Sequence, residues 1–423
     1  MYRVVIMLLI LPMFLNGISI KEAENLALKN NRDLLMANES VEESLASYGD
    51  VKGSLYPQVK LSGSYGVTAI SLADINKDLQ SDKETALATS LDMSQLLFSA
   101  DVFNGLKAAR IYKDINSTNY EITREEVLYQ TRRLYNSVLL LEEVVTIQEE
   151  ALRIARERYS QTEVMFEQGL VSEYDKLRSE LQVSQLIPAL KEAENNSSLA
   201  MISLENYIGW KAQGRELEGS LLLPIMPQIE LQQAINEGLS QRLELESTKL
   251  NSDILNVQYQ NEKRSYLPSL SLSGSIANVY NAGDYSIEGD EFNTRFNIAL
   301  GFQMPIFTGF SNRNKMKKFE HQWKSAVVSE EKLQSDITLE ITSNYKNLEK
   351  DRANLVTAEK NRFLATKGLV IAEKRYSNQL GTYLDVQESQ LTYSEAQVTY
   401  ISAVYNVVES FEALLKSMGR SFQ

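Results

Sequence analysis

Cysteine is missing from all 423 residues. That excludes disulfides, thiolate metal sites and any lipid anchor carried on a cysteine; it is compatible with an oxidising compartment without proving one. Histidine occurs once, as His321 in a charged helical stretch, so paired-histidine metal motifs are excluded and a surface role is the plain reading. Neither a phosphate-cradling glycine loop nor a nucleophile elbow is present. Nothing supports catalysis, a metal or a bound cofactor. Basic residues are outnumbered, 43 against 56, for a net charge of -13, whereas a nucleic-acid surface needs clustered Lys and Arg. Long apolar runs are lacking too. The run Val4 to Leu15, behind Arg3, is too short to cross a bilayer comfortably as a helix.

That run, followed by small or polar residues from Asn16 to Ser19, has the layout of a secretory signal peptide, expected over 1–19. Gly17-x-Ser19 fits the small-x-small rule for a cut after Ser19. Ser19-x-x-Glu22 also reads as a helix capping box, which favours an earlier cut. An exported chain without a helical anchor is periplasmic, secreted or a β-barrel in the outer membrane.

What the chain does contain is one stretch used twice. Ser54-Leu-Tyr-Pro-Gln-Val-Lys-Leu-Ser-Gly-Ser64 returns as Ser265-Tyr-Leu-Pro-Ser-Leu-Ser-Leu-Ser-Gly-Ser275. In each copy a helical pattern runs up to proline, which pushes the preceding residue out of the α region. Strict alternation follows. Val59, Leu61, Gly63, Tyr65 and Val67 oppose Gln58, Lys60, Ser62, Ser64 and Thr68; Leu270, Leu272, Gly274, Ile276 and Tyr280 oppose four serines.

Around these junctions each half reads helix, strand, strand, very long helix, turn, helix. The first half, 20–225, opens with a helix over 20–53, strands over about 57–70 and 86–98, and a polar loop between them. A nearly glycine-free helix from about Ala100 to Gln168 carries Leu134, Val138, Leu141, Val145, Leu152, Ala155, Tyr159 and Phe166 at coiled-coil spacing. At about 1.5 Å per residue it spans on the order of 100 Å. After Gly169 a helix starts at Ser172-x-x-Asp175, carries Pro188, expected to kink it, and ends near Gly209. A segment over about 209–227 separates the halves. The second half, 226–423, repeats the order: a helix over 230–266, strands over about 268–281 and 293–305 around an acidic loop, and a long helix to about Asn378. The turn Gln379 to Thr382 follows, then a helix to about Lys416 with Leu391, Ser394, Val398, Ile401, Tyr405, Val408 and Leu415 as its seam.

The four strands have the length of tilted membrane strands, roughly nine to eleven residues or slightly more, and the apolar-out, polar-in alternation of a water-filled barrel. Four strands cannot close a barrel, and open edges are not tolerated in lipid. Several chains must therefore pool their strands. A soluble sandwich is the alternative, but no second sheet is available to cover the apolar face.

On these residues the chain resembles the TolC family of outer-membrane efflux proteins over essentially its whole mature length. The carriers are Ala23 to Leu34, Ala234 to Leu245, the two helix-Pro-strand junctions, Leu97-Phe98-Ser99 and Pro305-Ile306-Phe307-Thr308-Gly309. With them come the turns Phe166-x-x-Gly169-Leu-Val-Ser172-x-x-Asp175 and Tyr376-x-x-Gln379-Leu-Gly-Thr382-Tyr-Leu-Asp385-Val. The resemblance implies a mixed α+β membrane protein: a homotrimer with a 12-stranded β-barrel, four strands per chain from two internal repeats, continued by an α-helical coiled-coil barrel through the periplasm. It also implies a passive exit duct that works with a periplasmic adaptor and an inner-membrane transporter in efflux or type I secretion. A general porin would share the barrel but has no use for helices of such length. A periplasmic coiled-coil structural or adaptor protein would share the helices but not the strands.

By the same resemblance, Asp385 and Glu388 line a narrow periplasmic entrance, where a trimer would place rings of carboxylates. Asp385 has a second reading, because Thr382-x-x-Asp385, like Ser172-x-x-Asp175, is a capping box; Asp175 and Asp385 are then helix caps. Glu388 has no such explanation, and its first-half counterpart is Arg178. Gly169, Leu170, Val171, Ser172, Leu380, Gly381 and Thr382 are implied as adaptor contacts. Gln379 stands where the first half has Gly169, so the second turn is expected to differ in geometry.

Overall fold

The computed structural model describes residues 17–68, 84–211, 217–282, 292–378 and 380–420. The expected leader up to residue 16, most of the two inter-strand loops and Gln379 lie outside them. The first half contains α1 (Ile20–Asn30), α2 (Arg32–Gly53), β1 (Gln58–Thr68), β2 (Glu84–Phe98), α3 (Ala100–Glu167) and α4 (Glu173–Ile208). The second contains α5 (Leu231–Gln241), α6 (Leu243–Arg264), β3 (Ser269–Ala282), β4 (Phe292–Gln303), α7 (Ser311–Ser377) and α8 (Tyr383–Ser417). Lengths match closely: 11 residues for α1 and α5, 22 for α2 and α6, 68 against 67 for α3 and α7, 36 against 35 for α4 and α8.

Two helix breaks correct the expectation of single helices over 20–53 and 230–266. At Asn31 the backbone turns extended (φ -61°, ψ 130°). Its side-chain oxygen accepts from the Asp33 and Leu34 N–H groups at 2.9 and 3.2 Å, and its amide donates to the Tyr207 carbonyl at 2.9 Å. A short polar side chain thus replaces the missing helical bonds of α2, the local competition that makes Asn a cap rather than a helix residue. Arg242 makes the equivalent break (φ -68°, ψ 120°), and its guanidinium is held by Glu244 and Glu340.

The chain divides into two compact units. One, built from 39–119 and 245–332, holds an antiparallel sheet in the order β1-β2-β3-β4. Register aligns like with like: Leu61 faces Leu91, Leu91 faces Ile276 and Ile276 faces Phe296. These apolar residues are exposed. The other face pairs Lys60 with Asp92, Asp92 with Ser275 and Ser275 with Asn297. A register shift at Leu97 is a bulge that ends the strict alternation of β2, so Phe98 rather than Leu97 pairs with Leu270. Tyr280, on the apolar register, is buried rather than exposed.

The other unit, 17–38, 120–244 and 333–420 among the described residues, is helical. Its core gathers Ile18, Ala23, Ala27 and Leu34 against Val127, Tyr135 and Val138 of α3 and Leu204 and Ile208 of α4. The α3 stripe behaves as its spacing predicts, with Val138, Leu152 and Ala155 buried, and Thr162 between Tyr159 and Phe166 is buried with them. The expected α8 seam needs correction: Leu391 is exposed, and the buried face further on is Val404, Val407, Val408, Phe411 and Leu414. The helix carries a wider apolar stripe there because it packs on more than one neighbour. α4 continues through Pro188.

Candidate functional site

Each helical hairpin tip is built by the same local chemistry. Gly169 adopts a left-handed conformation (φ 71°) that favours glycine. The Leu170 N–H then closes onto the Met165 carbonyl at 2.9 Å, and in the second tip the Leu380 N–H closes onto the Arg375 carbonyl at 2.8 Å. Both N–H groups bond to the residue five positions back, so the described parts of the two turns agree. The expected difference at Gln379 concerns a residue outside those described. Next comes a reciprocal cap. Asp175 accepts from the Ser172 N–H at 3.2 Å and Asp385 from the Thr382 N–H at 2.9 Å, while the Ser172 and Thr382 hydroxyls accept in return. Leu170 and Leu380, 65% and 72% exposed, sit at the tips.

Asp385 and Glu388 line one groove of about 810 Å³ between α7 and α8, together with Asn361, Arg375, Ser389, Thr392 and Glu395. Both carboxylates are exposed. The Thr382 N–H and hydroxyl hold the Asp385 carboxyl below its usual range, with Arg375 adding to the effect. Capping therefore keeps Asp385 ionised without removing it from the groove. Arg178, the first-half counterpart of Glu388, lies over the Tyr174 ring instead.

One connection between the hairpins is not legible in the sequence. Arg158 of α3 pairs with Glu373 of α7, and the two are joined by Tyr376, Tyr383 and Thr162 around a cavity of about 370 Å³. The Tyr376 and Tyr383 rings meet edge-on at 6.1 Å, and the Tyr383 hydroxyl lies 3.4 Å from the Gln182 side-chain oxygen. Burial raises both tyrosine pKa values, so they act here as neutral packing and hydrogen-bonding groups. The 215-residue separation of Arg158 and Glu373 hides their pairing from any local pattern. His321 is exposed on α7, and no group of carboxylates or histidines among the described residues is arranged to hold a metal.

A family model described as "Outer membrane efflux protein" matches residues 24–210 and again 234–420. The chain is 21% identical over 403 residues to the outer membrane protein TolC of Escherichia coli K12, covering 92% of this chain and 80% of that protein. It is 23% identical over 398 residues to the outer membrane efflux protein BepC of Brucella suis, covering 93% and 84%. The fold superposes on the CmeC outer membrane channel of Campylobacter jejuni with a TM-score of 0.80 at 20% identity, covering 95% of this chain and 85% of that one. The chain belongs to the outer membrane efflux protein family, and it is an outer-membrane exit duct rather than an enzyme.

Proposed function

We propose that three copies of this chain form one duct: a 12-stranded barrel continued by a helical tunnel, built from two repeats per chain and closed at its periplasmic end near Asp385 and Glu388. The observation that carries the barrel is a four-stranded sheet with an exposed apolar face and two unpaired edges. In the order β1-β2-β3-β4 the strands alternate in direction, so β4 of one copy can meet β1 of the next antiparallel, and a ring of copies leaves no edge in lipid. Matching element lengths in the two halves support the repeats.

The exposed tips Gly169 to Ser172 and Leu380 to Thr382 are the surfaces proposed for a periplasmic adaptor, through which an inner-membrane transporter delivers its substrate. The charge of the groove beside α8 supports a cation-attracting constriction, since Asp385, Glu388 and Glu395 outnumber Arg375 there. Conductance in a planar bilayer tests this. Wild type is expected to pass little current, Glu388→Ala to pass several-fold more, and cation preference to fall with each carboxylate removed. Asp385→Ala is expected to do the same while weakening the cap of α8. Unchanged, freely open conductance in all three proteins would favour a general porin.

The leader boundary follows from the same fold. Ile18 is 2% exposed, its carbonyl accepts from the Glu218 N–H at 2.9 Å and the Tyr135 hydroxyl at 2.7 Å, and Ser19 caps α1 through the Glu22 N–H. A cut after Ser19 would remove a core residue and a cap. The mature chain is therefore proposed to start no later than Ile18. Intact mass of the outer-membrane protein measures this, and a chain beginning at Ile20 would contradict it.

A further inference from the structure

The apolar face of the sheet spans a membrane-sized band and is interrupted inside it. From the row of Phe98, Leu270 and Phe302 to the row of Tyr65, Leu87 and Tyr280, β3 advances from 270 to 280, about 34 Å at 3.4 Å per residue. Tilted by about 40°, that covers about 26 Å, the height of the apolar band of an outer-membrane barrel. Between these ends lies the exposed row Gly63, Thr89, Asn278 and Thr294. Among the described residues of this face, the only other polar side chain within the band is Gln95, next to the β2 bulge. Asn278 stands two positions before Tyr280, so the polar row lies about 5 Å inside the loop-side edge of the band.

The Thr294 hydroxyl donates to the Asn278 side-chain oxygen at 2.6 Å. That bond uses the one donor of Thr294, while the two amide N–H donors of Asn278 and the lone pairs of the Thr294 oxygen remain. In hydrocarbon a donor without a partner is unfavourable. Directly below this pair, Gly274 opens a groove of about 360 Å³ walled by Val59, Leu91, Met93, Ile276, Phe296 and Ile298. Gly274 is not required by the chain itself. It is not among the glycines with positive φ, and an added Cβ would meet only the Asn297 carbonyl oxygen, at an ordinary 3.7 Å. Glycine weakens a strand interior, and one without an internal reason marks the close approach of a ligand. From Gly274 to Asn278 is about 14 Å along the strand, a groove shaped for a single extended chain.

We propose that this groove binds one acyl chain of an outer-leaflet glycolipid, a chain carrying a hydroxyl or ester oxygen a few carbons from its head, and that Asn278 and Thr294 hydrogen-bond that oxygen. Depth selects the ligand. An ordinary phospholipid chain keeps its ester at the interface and offers only methylenes at the level of Asn278, which leaves the amide unpaired. A 3-hydroxyacyl chain brings an oxygen to that level. Its remaining methylenes then follow the strand past Ile276 and Phe296 to Gly274. The leaflet is the outer one, because the loop ends of the strands face away from the periplasmic helices. The site rests on the barrel reading, but its failure can be told apart.

Native mass spectrometry of the full-length, delipidated protein in detergent tests this with two synthetic acylated glucosamine phosphates that differ only in carrying tetradecanoyl or 3-hydroxytetradecanoyl chains. The hydroxylated lipid is expected to bind about five- to ten-fold more tightly, the worth of one hydrogen bond. Asn278→Leu combined with Thr294→Val should bring the two lipids to the same affinity, and Gly274→Val, which fills the groove, should weaken both several-fold. Equal affinities in wild type, a preference that survives the double variant, or unchanged affinities in Gly274→Val would each overturn the site. Equally strong competition by free 3-hydroxytetradecanoic acid would overturn the glycolipid assignment. Should the double variant fail to fold, Thr294→Val alone gives the same reading. A spin label at Leu300→Cys, on the same face outside the groove, reports on the barrel in vesicles. Oxygen accessibility there without a lipid preference would overturn the site and leave the barrel standing. Shielding from both oxygen and a water-soluble nickel chelate would also overturn the site, because protein would then cover the face. Accessibility to the chelate would overturn both.

Discussion

Gly209→Ala is expected to destabilise the helical unit by about 3 kcal/mol, from the sum of a left-handed backbone penalty of about 1–2 kcal/mol and an overpacking cost of about 1–3 kcal/mol. Gly209 ends α4 with φ 64°, and an added Cβ would lie 2.8 Å from both the Cβ and the carbonyl oxygen of Asn30. Backbone cannot swing aside as a side chain can. Moreover, Asn30 immediately precedes the break at Asn31, whose amide already bonds to Tyr207, so the clash falls on the joint between α1, α2 and α4. Gly419 repeats this arrangement at the end of the second half: φ 72°, with a Cβ meeting the Gln241 and Arg242 backbone at 3.1 Å. Its alanine variant should lose somewhat less. Gly169, also at positive φ but with nothing within 4 Å, isolates the conformational penalty and should cost only about 1–2 kcal/mol as alanine. Thermal melting followed by far-UV circular dichroism ranks the three. Equal losses at Gly209 and Gly169 would remove the steric part of the argument.

The same glycine shows where sequence reading succeeds and stops. A glycine closing a helical pattern is a local signal, and so are the capping boxes at Ser172 and Thr382, the proline junctions and the two-residue alternation of the strands. Each is encoded within a few residues, and each is found in place. Single helices over 20–53 and 230–266 were the natural expectation, because nothing within Asn30-Asn31-Arg32 or Gln241-Arg242-Leu243 is a strong breaker. Those breaks are fixed by partners far away in sequence: Tyr207 and Gly209 for one, Glu340 and Gly419 for the other. Asp385 and Glu388 share a groove because they lie three residues apart on one helix, a spacing visible beforehand. The Arg158–Glu373 pair was not visible, since two exposed-looking charges on different helices become partners only when the hairpins pack. Likewise nothing in the local sequence of α8 marks Glu412 as buried; only the packing does.

Glu412→Gln is expected to stabilise the protein at pH 8 by about 2–3 kcal/mol and to flatten its stability between pH 5 and 7. Glu412 is 8% exposed and one carboxylate oxygen has no hydrogen-bond partner. Glu24 of α1, Tyr129 and Arg132 of α3, and Tyr405 and Glu409 of α8 face it. Arg132 favours the ionised form but already pairs with Glu24, and Arg133 pairs with Glu409 at 3.1 Å. Burial therefore dominates and pushes the Glu412 carboxyl from 4.5 up to about 7; burial raises Glu409 as well. A carboxyl with a raised folded-state pKa holds its proton between about pH 4.5 and 7 while the unfolded chain releases it. Folding is thus favoured as pH falls through that window, and above it the full cost of a buried charge remains. Carboxylates held low by partners, such as Glu237 beside Arg420 and Glu244 beside Arg242, act in the opposite sense and lose their contribution only at lower pH. Melting temperatures across pH 5 to 8 separate the two groups: wild type should melt higher at pH 5.5 than at pH 8, and Glu412→Gln should show a clearly smaller difference, with Glu409 supplying what is left. Glu412 and Asp385 lie 27 positions apart on the same helix, about 40 Å at 1.5 Å per residue. Mild acid should therefore tighten the packing of α8 on α1 and α3 while Asp385 at its other end, whose carboxyl is held below its usual range, stays ionised, and single-channel conductance of wild type should stay level over the same pH range in which its melting temperature falls.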